Sequence, residues 1–97
     1  MKRPNILFLL TDDQRFDTIH ALGNDQIHTP NLDYLVENGA AFTRAAIMGG
    51  TSPAICMPSR AMMLTGRTLF HIDGRGESIP TDHTTLPEHY RQAGYET

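Results

Sequence analysis

The chain has 97 residues, a formal net charge of −3 and 39% hydrophobic residues. That balance excludes a disordered segment, and it lacks the basic excess of a nucleic-acid-binding domain. A chain this short buries only about 60–65% of the surface its unfolded form exposes, and its single cysteine cannot close an internal disulfide.

The opening "MKRPNILFLL" pairs a basic head with an apolar run, as a signal peptide does. The run lasts only from Ile6 to Leu10 before "TDDQ", whereas an export segment needs about 7–15 apolar residues. No stretch approaches the roughly 20 apolar residues that span a bilayer. The sequence therefore predicts no membrane partner, no nucleic-acid partner and, lacking an export address, a cytoplasmic location. "NILFLL" itself, bounded by Pro4 and by Asp12-Asp13, has the pattern of a strand buried on both faces in a parallel sheet.

"TPNLDYLVENG" follows as a predicted helix: Thr29 can cap it, Pro30 suits the first position, Leu32, Leu35 and Val36 share a face, and Gly39 stops it. "AAFTRAAI" (residues 40 to 47) reads as a second strand. A loop "MGGTSP" leads to a short helix, "SRAMMLTG", opened by Pro58. A glycine-rich polar stretch then runs from Arg67 to Thr84. Gly74 and Gly76 around Arg75 read there as a flexible loop, although Arg75 could meet an anionic substrate. "TLPEHYRQAGY" is the last predicted helix, with Thr85 and Glu88 spaced as a capping box and Gly94 as the stop. The order strand, helix, strand, helix, helix indicates an α/β layered fold. Two strands cannot cover these helices, and "AGYET" reads as a helix stop leading into a further strand. The 97 residues are thus expected to be the N-terminal part of a longer domain.

Two places carry chemistry. Adjacent carboxylates at the end of a buried strand, Asp12 and Asp13, repel each other, and burial raises the cost of charging either. A hard divalent cation resolves both problems, and oxygen ligands suit calcium or magnesium. Outside the carboxyl ends of strands is also where ligands collect in open α/β sheets. The alternative is a solvated turn with a helix cap. The lone Cys56 in "AICMPSRAMMLTGR" has two readings as well. One is a buried structural cysteine. The other places it just before the helix that Pro58 opens, where free N–H groups and the helix dipole favour an anion. Arg60, one turn on, can make a two-pronged contact with an oxyanion. A nucleophile, an anion-friendly helix end and a metal together suit hydrolysis of a sulfate or phosphate ester.

"CMPSRAMMLTGR" resembles the type I sulfatase signature, C-x-P-S-R followed by a leucine-threonine-glycine stop. "PNILFLLTDDQ" resembles that family's first strand with its metal-binding aspartates. "TPNLDYLVENGAAFTRA" and "LPEHYRQAGYET" resemble the segments that follow, and only the loop around 68 to 83 is uninformative. The resemblance implies an alkaline-phosphatase-like mixed sheet sandwiched by helices, with residues 1–97 as the N-terminal portion of the catalytic domain. It implies that Cys56 is oxidised to formylglycine by a formylglycine-generating or anaerobic sulfatase-maturating enzyme, which reads Pro58 and Arg60. In the family the hydrated aldehyde carries two hydroxyls on one carbon. One attacks sulfur and expels the alcohol, and the second loses its proton and ejects sulfate. Asp12, Asp13 and the modified Cys56 would hold calcium, and Arg60 would stabilise the hydrated aldehyde and the ionised nucleophile. Ser59 would hydrogen-bond locally, while Thr65, Gly66 and Arg67 finish the helix. The implied partners are a sulfated small molecule or glycan and the maturation enzyme. Formylglycine-dependent phosphonate monoester or phosphodiester hydrolases are the nearest alternative, and "DDQ" rather than a single aspartate favours sulfatase. An inactive truncated sulfatase is the other. His20, His28, His71, His83 and His89 show no metal-ligand spacing and read as surface or loop residues. Met62 and Met63 read as helix packing.

Overall fold

The computed structural model describes residues 3–97. Met1 and Lys2, the head of the segment that imitates a signal peptide, lie outside the described residues. The chain forms two compact units, the first ending at Ala45 and the second spanning Ala46–Thr97.

In the first unit, a short 3-10 turn at His20–Leu22 packs on helix α1, Pro30–Asn38. The helix starts where local chemistry requires, since Pro30 gives up an N–H that a first turn cannot use anyway. Thr29 occupies the cap position, but its side chain does not cap. Its hydroxyl donates to Asp33 Oδ1 at 2.8 Å and accepts the His20 N–H at 2.9 Å. Asp33 Oδ1 also accepts the Ala21 N–H at 2.9 Å. Thr29 and Asp33 therefore tie the turn to the helix, a use of the cap residue that spacing alone did not reveal. Partial desolvation pushes the Asp33 carboxyl up. The Ala21 N–H, the Thr29 hydroxyl and the nearby His20 and His28 outweigh it and hold the group below its ordinary value. Gly39 does end α1, in an extended rather than left-handed conformation.

The second unit holds α2, Cys56–Thr65, and α3, Leu86–Gln92, which contact each other. The expected start of α2 is corrected here: the helix opens at Cys56, two residues before Pro58. A proline at the third helical position removes only a donor that has no intrahelical acceptor, so the first turn accommodates it. The first intrahelical bond runs from the Ser59 N–H to the Ile55 carbonyl, 3.0 Å. Gly66 closes α2 in the left-handed region (φ +65°), and its N–H returns to the Met62 carbonyl at 2.8 Å. The capping box of α3 forms as spaced, with Glu88 Oε2 accepting the Thr85 N–H at 2.6 Å and the Thr85 hydroxyl at 2.9 Å. These bonds, the backbone one first, hold the Glu88 carboxyl below its ordinary value.

The predicted α/β order does not appear: among the described residues there are three α-helices and no strand. Residues 5–10 form no regular element and are exposed, Leu7 at 81% and Leu9 at 70%, and residues 40–47 contain only a turn, Ala45 N–H to Phe42 carbonyl. A strand exists through its ladder to a neighbour, and neither segment has one among the described residues. The stretch after α2 also departs from expectation. Leu69 (6% exposed) and Ile72 (3%) are buried with Ala61 (4%) of α2 and with Pro58 and Gly76. The stretch expected to be glycine-rich and polar supplies Leu69, Ile72 and Gly76 to the second unit's buried interior. Met62 is half-buried and Met63 exposed, so the methionine pair packs only in part.

Among the described residues the buried hydrophobic side chains are Ala61, Leu69 and Ile72, beside the buried Pro58, while Leu7, Leu9, Leu35, Phe42 and Met63 stay exposed. Burying so little apolar surface cannot offset the conformational entropy of ordering the chain. A purified polypeptide of these 97 residues is expected to aggregate or to melt without a cooperative transition. A sharp two-state thermal transition, followed by near-UV circular dichroism, would contradict this.

Candidate active site

Cys56 is the first residue of α2, and its side chain is free and exposed. The reading of a buried structural cysteine is thereby set aside. A thiol at that position sits beside N–H groups for which the helix has no acceptor, at the positive end of its dipole. Pro58, two residues on, turns the other way and is buried, while Ser59 is half-buried. Arg60 lies four residues after Cys56, hence on the same helical face one turn further, and it is exposed. A thiol at the helix mouth and an arginine one turn on along the same face is the arrangement the motif predicted. The predicted aspartate pair belongs to the first unit. Asp12 and Asp13 are exposed in a bend, and Asp13 takes φ +50°, a left-handed conformation that aspartate tolerates better than most residues.

The buried strand expected to carry these carboxylates does not form among the described residues, and both side chains are exposed. Among the described residues no three His, Cys, Asp or Glu side chains form a metal-holding group. The donor chemistry nonetheless suits calcium. Asp12 and Asp13 offer hard oxygen ligands, part of the six to eight that calcium takes. A thiol is a poor calcium ligand, being soft, so Cys56 suits that set only with an oxygen function on its β-carbon. The histidines behave as surface or loop residues: His20, His28, His71 and His89 are exposed, and His83 is half-buried. Thr68 Oγ1 and His71 Nδ1 lie 2.6 Å apart, so His71 is engaged with its own turn.

The sequence reading missed the support beneath the start of α2. Gly76 lies against Pro58 and Leu69, and Leu69 and Ile72 are themselves buried. The available signal was two apolar residues at i and i+3 followed by a glycine pair, in a segment whose polarity suggested a loop.

Comparison with known proteins extends the picture. The sulfatase family profile matches residues 4–97. An N-acetylglucosamine-6-O-sulfatase of Bacteroides thetaiotaomicron is 36% identical over 99 residues, covering 99% of this chain and 17% of that protein. An ulvan-active sulfatase of Formosa agariphila is 35% identical, covering 98% and 19%. Human steryl-sulfatase is 32% identical over 108 residues, covering 98% and 18%. The chain thus spans less than a fifth of the length of these relatives. No solved structure matches it. With the profile running from before the aspartate pair to Thr97 and taking in the C-M-P-S-R motif, the chain belongs to the sulfatase family.

Proposed function

We propose that the protein hydrolyses sulfate monoesters, and that these residues are the N-terminal portion of its catalytic domain. The observation that carries this is the exposed Cys56 at the mouth of α2, with Pro58 and Arg60 in the family motif. The small share of each relative that the chain covers supports the wider domain. Family membership implies an alkaline-phosphatase-like fold, and we place residues 5–10 and 40–47 as strands of its mixed sheet once neighbours supply their ladders.

Cys56, oxidised to formylglycine, supplies the nucleophilic oxygen. Its exposure suits the access that a formylglycine-generating or anaerobic sulfatase-maturating enzyme requires. Asp12 and Asp13, with the oxygen function at position 56, are the residues that would hold calcium. Such an ion supplies Lewis-acid polarisation of the sulfate oxygens when bound. Arg60 donates to the oxygens around position 56 and, as a cation, stabilises negative charge there. The helix N-terminus adds partial positive charge on the same side. The names of the relatives support a sulfated glycan or sterol-like small molecule as substrate class.

The test is co-expression of the full-length protein with a maturation enzyme, followed by mass spectrometry of the Cys56 peptide, a hydrazide probe and a panel of esters. The expected result is an aldehyde at position 56 and turnover of sulfate monoesters above that of phosphodiesters and phosphonate monoesters. An intact thiol in the presence of a competent maturation enzyme, or preference for the phosphorus esters, overturns the proposal.

A further inference from the structure

The turn after α2 carries three successive left-handed residues: Gly74 at φ +69°, Arg75 at +53° and Gly76 at +79°. Arg75 pays a conformational cost there that a glycine would not. The turn is closed by the Arg75 N–H to the Ile72 carbonyl and the Glu77 N–H to the Gly74 carbonyl, both 3.1 Å. Its curl brings the backbone of Gly76 against the first turn of α2. A Cβ built on Gly76 falls 2.7 Å from Pro58 Cα, 3.1 Å from Pro58 Cβ and 3.3 Å from Leu69 Cδ1. Backbone atoms cannot yield as a side-chain tip does, so a methyl group here must displace either the turn or the helix mouth. Gly74 has the same backbone sign but open space, its nearest neighbour being Ser78 Oγ at 3.9 Å.

We infer that Gly76 is a positioning residue: its bare backbone seats Pro58 and thereby sets the place of Cys56, two residues earlier, and of Arg60, two residues later. The part concerning turnover rests on the sulfatase function proposed above; the part concerning the thiol does not. Pro58 has little freedom to absorb a push, because its ring fixes φ. Leu69 closes another side of the contact, its Cδ1 lying 3.3 Å from the Cβ position of Gly76.

The experiment compares Gly76→Ala with Gly74→Ala in the full-length protein, since both place alanine at positive φ and only the first meets the helix. Turnover is normalised to aldehyde counted by a hydrazide probe, which removes losses of folding or maturation. In Gly76→Ala, kcat per aldehyde is expected to fall about 10- to 100-fold with KM within about twofold, as misplacement of a reacting group by around 1 Å does. In protein made without the maturation enzyme, alkylation of Cys56 by iodoacetamide is expected to slow about threefold or more, because thiol reactivity follows its position at the helix end. Gly74→Ala is expected to stay within about twofold of the parent in both readouts. Should Gly76→Ala not yield folded protein, Leu69→Val thins the same support from its other side. It is expected to lower kcat per aldehyde about threefold with KM unchanged, and an unaltered kcat there would overturn the role. Gly76→Ala indistinguishable from Gly74→Ala in both readouts also overturns it, while leaving the sulfatase function intact. Slowed alkylation in a protein whose parent hydrolyses no sulfate ester supports the positioning and overturns only the function.

Discussion

Cys56→Ala in the matured full-length protein is expected to lower sulfate ester turnover by at least about 1,000-fold, a loss of about 4 kcal/mol of transition-state stabilisation. The substitution keeps the β-carbon and the helix start, so α2 still forms from Met57 onward and the protein should remain folded by circular dichroism. What disappears is the attacking oxygen, and no neighbouring side chain of the described motif replaces it: Ser59 is half-buried on another face and Arg60 is a cation. Cys56→Ser separates nucleophilicity from release. A single hydroxyl can take up sulfate once, expelling one equivalent of alcohol, but has no second hydroxyl on the same carbon to expel the sulfate. The expected time course is a burst of at most one alcohol per chain followed by arrest. Sustained turnover in the alanine variant would show that position 56 is not the nucleophile. Sustained turnover in the serine variant would show that release does not need the paired hydroxyls.

Asp13→Asn is expected to cost at least about 100-fold in kcat, because the charge stabilisation a catalytic metal supplies is worth several kcal/mol and each ~1.4 kcal/mol is tenfold in rate. Asparagine keeps the shape and, like aspartate, tolerates the φ of +50° found at this position. The substitution therefore removes charge with little backbone cost. Excess calcium should restore part of the activity where the loss is one of affinity. Asp12→Asn should follow the same direction. A solvated turn predicts instead an effect no larger than that of ordinary surface substitutions. Near-normal turnover insensitive to a chelator in both asparagine variants would remove the metal from this pair, even with formylglycine established at position 56.

What the amino-acid sequence determined by itself about this protein is whatever depends on a few neighbouring residues. Pro30 starts α1, Gly66 closes α2 and the Thr85–Glu88 pair opens α3, each where its local backbone chemistry demands. The motif around Cys56 is local as well, since one helical turn suffices to place a thiol and a guanidinium on one face. The tertiary structure decided the rest. "NILFLL" and "AAFTRAAI" carry strand patterns, but a strand is completed by a partner's N–H and C=O groups, which no run of neighbours supplies. Leu69, Ile72 and Gly76 read as loop because their polar surroundings dominate any window. The role of Gly76 comes from its contact with Pro58, 18 positions earlier along the chain, which a one-dimensional pattern does not encode. The exposure of Cys56 and the burial of Pro58 two residues later have the same origin. The sequence puts both at one helix mouth, and only packing against the turn at Gly76 chooses which of them faces water.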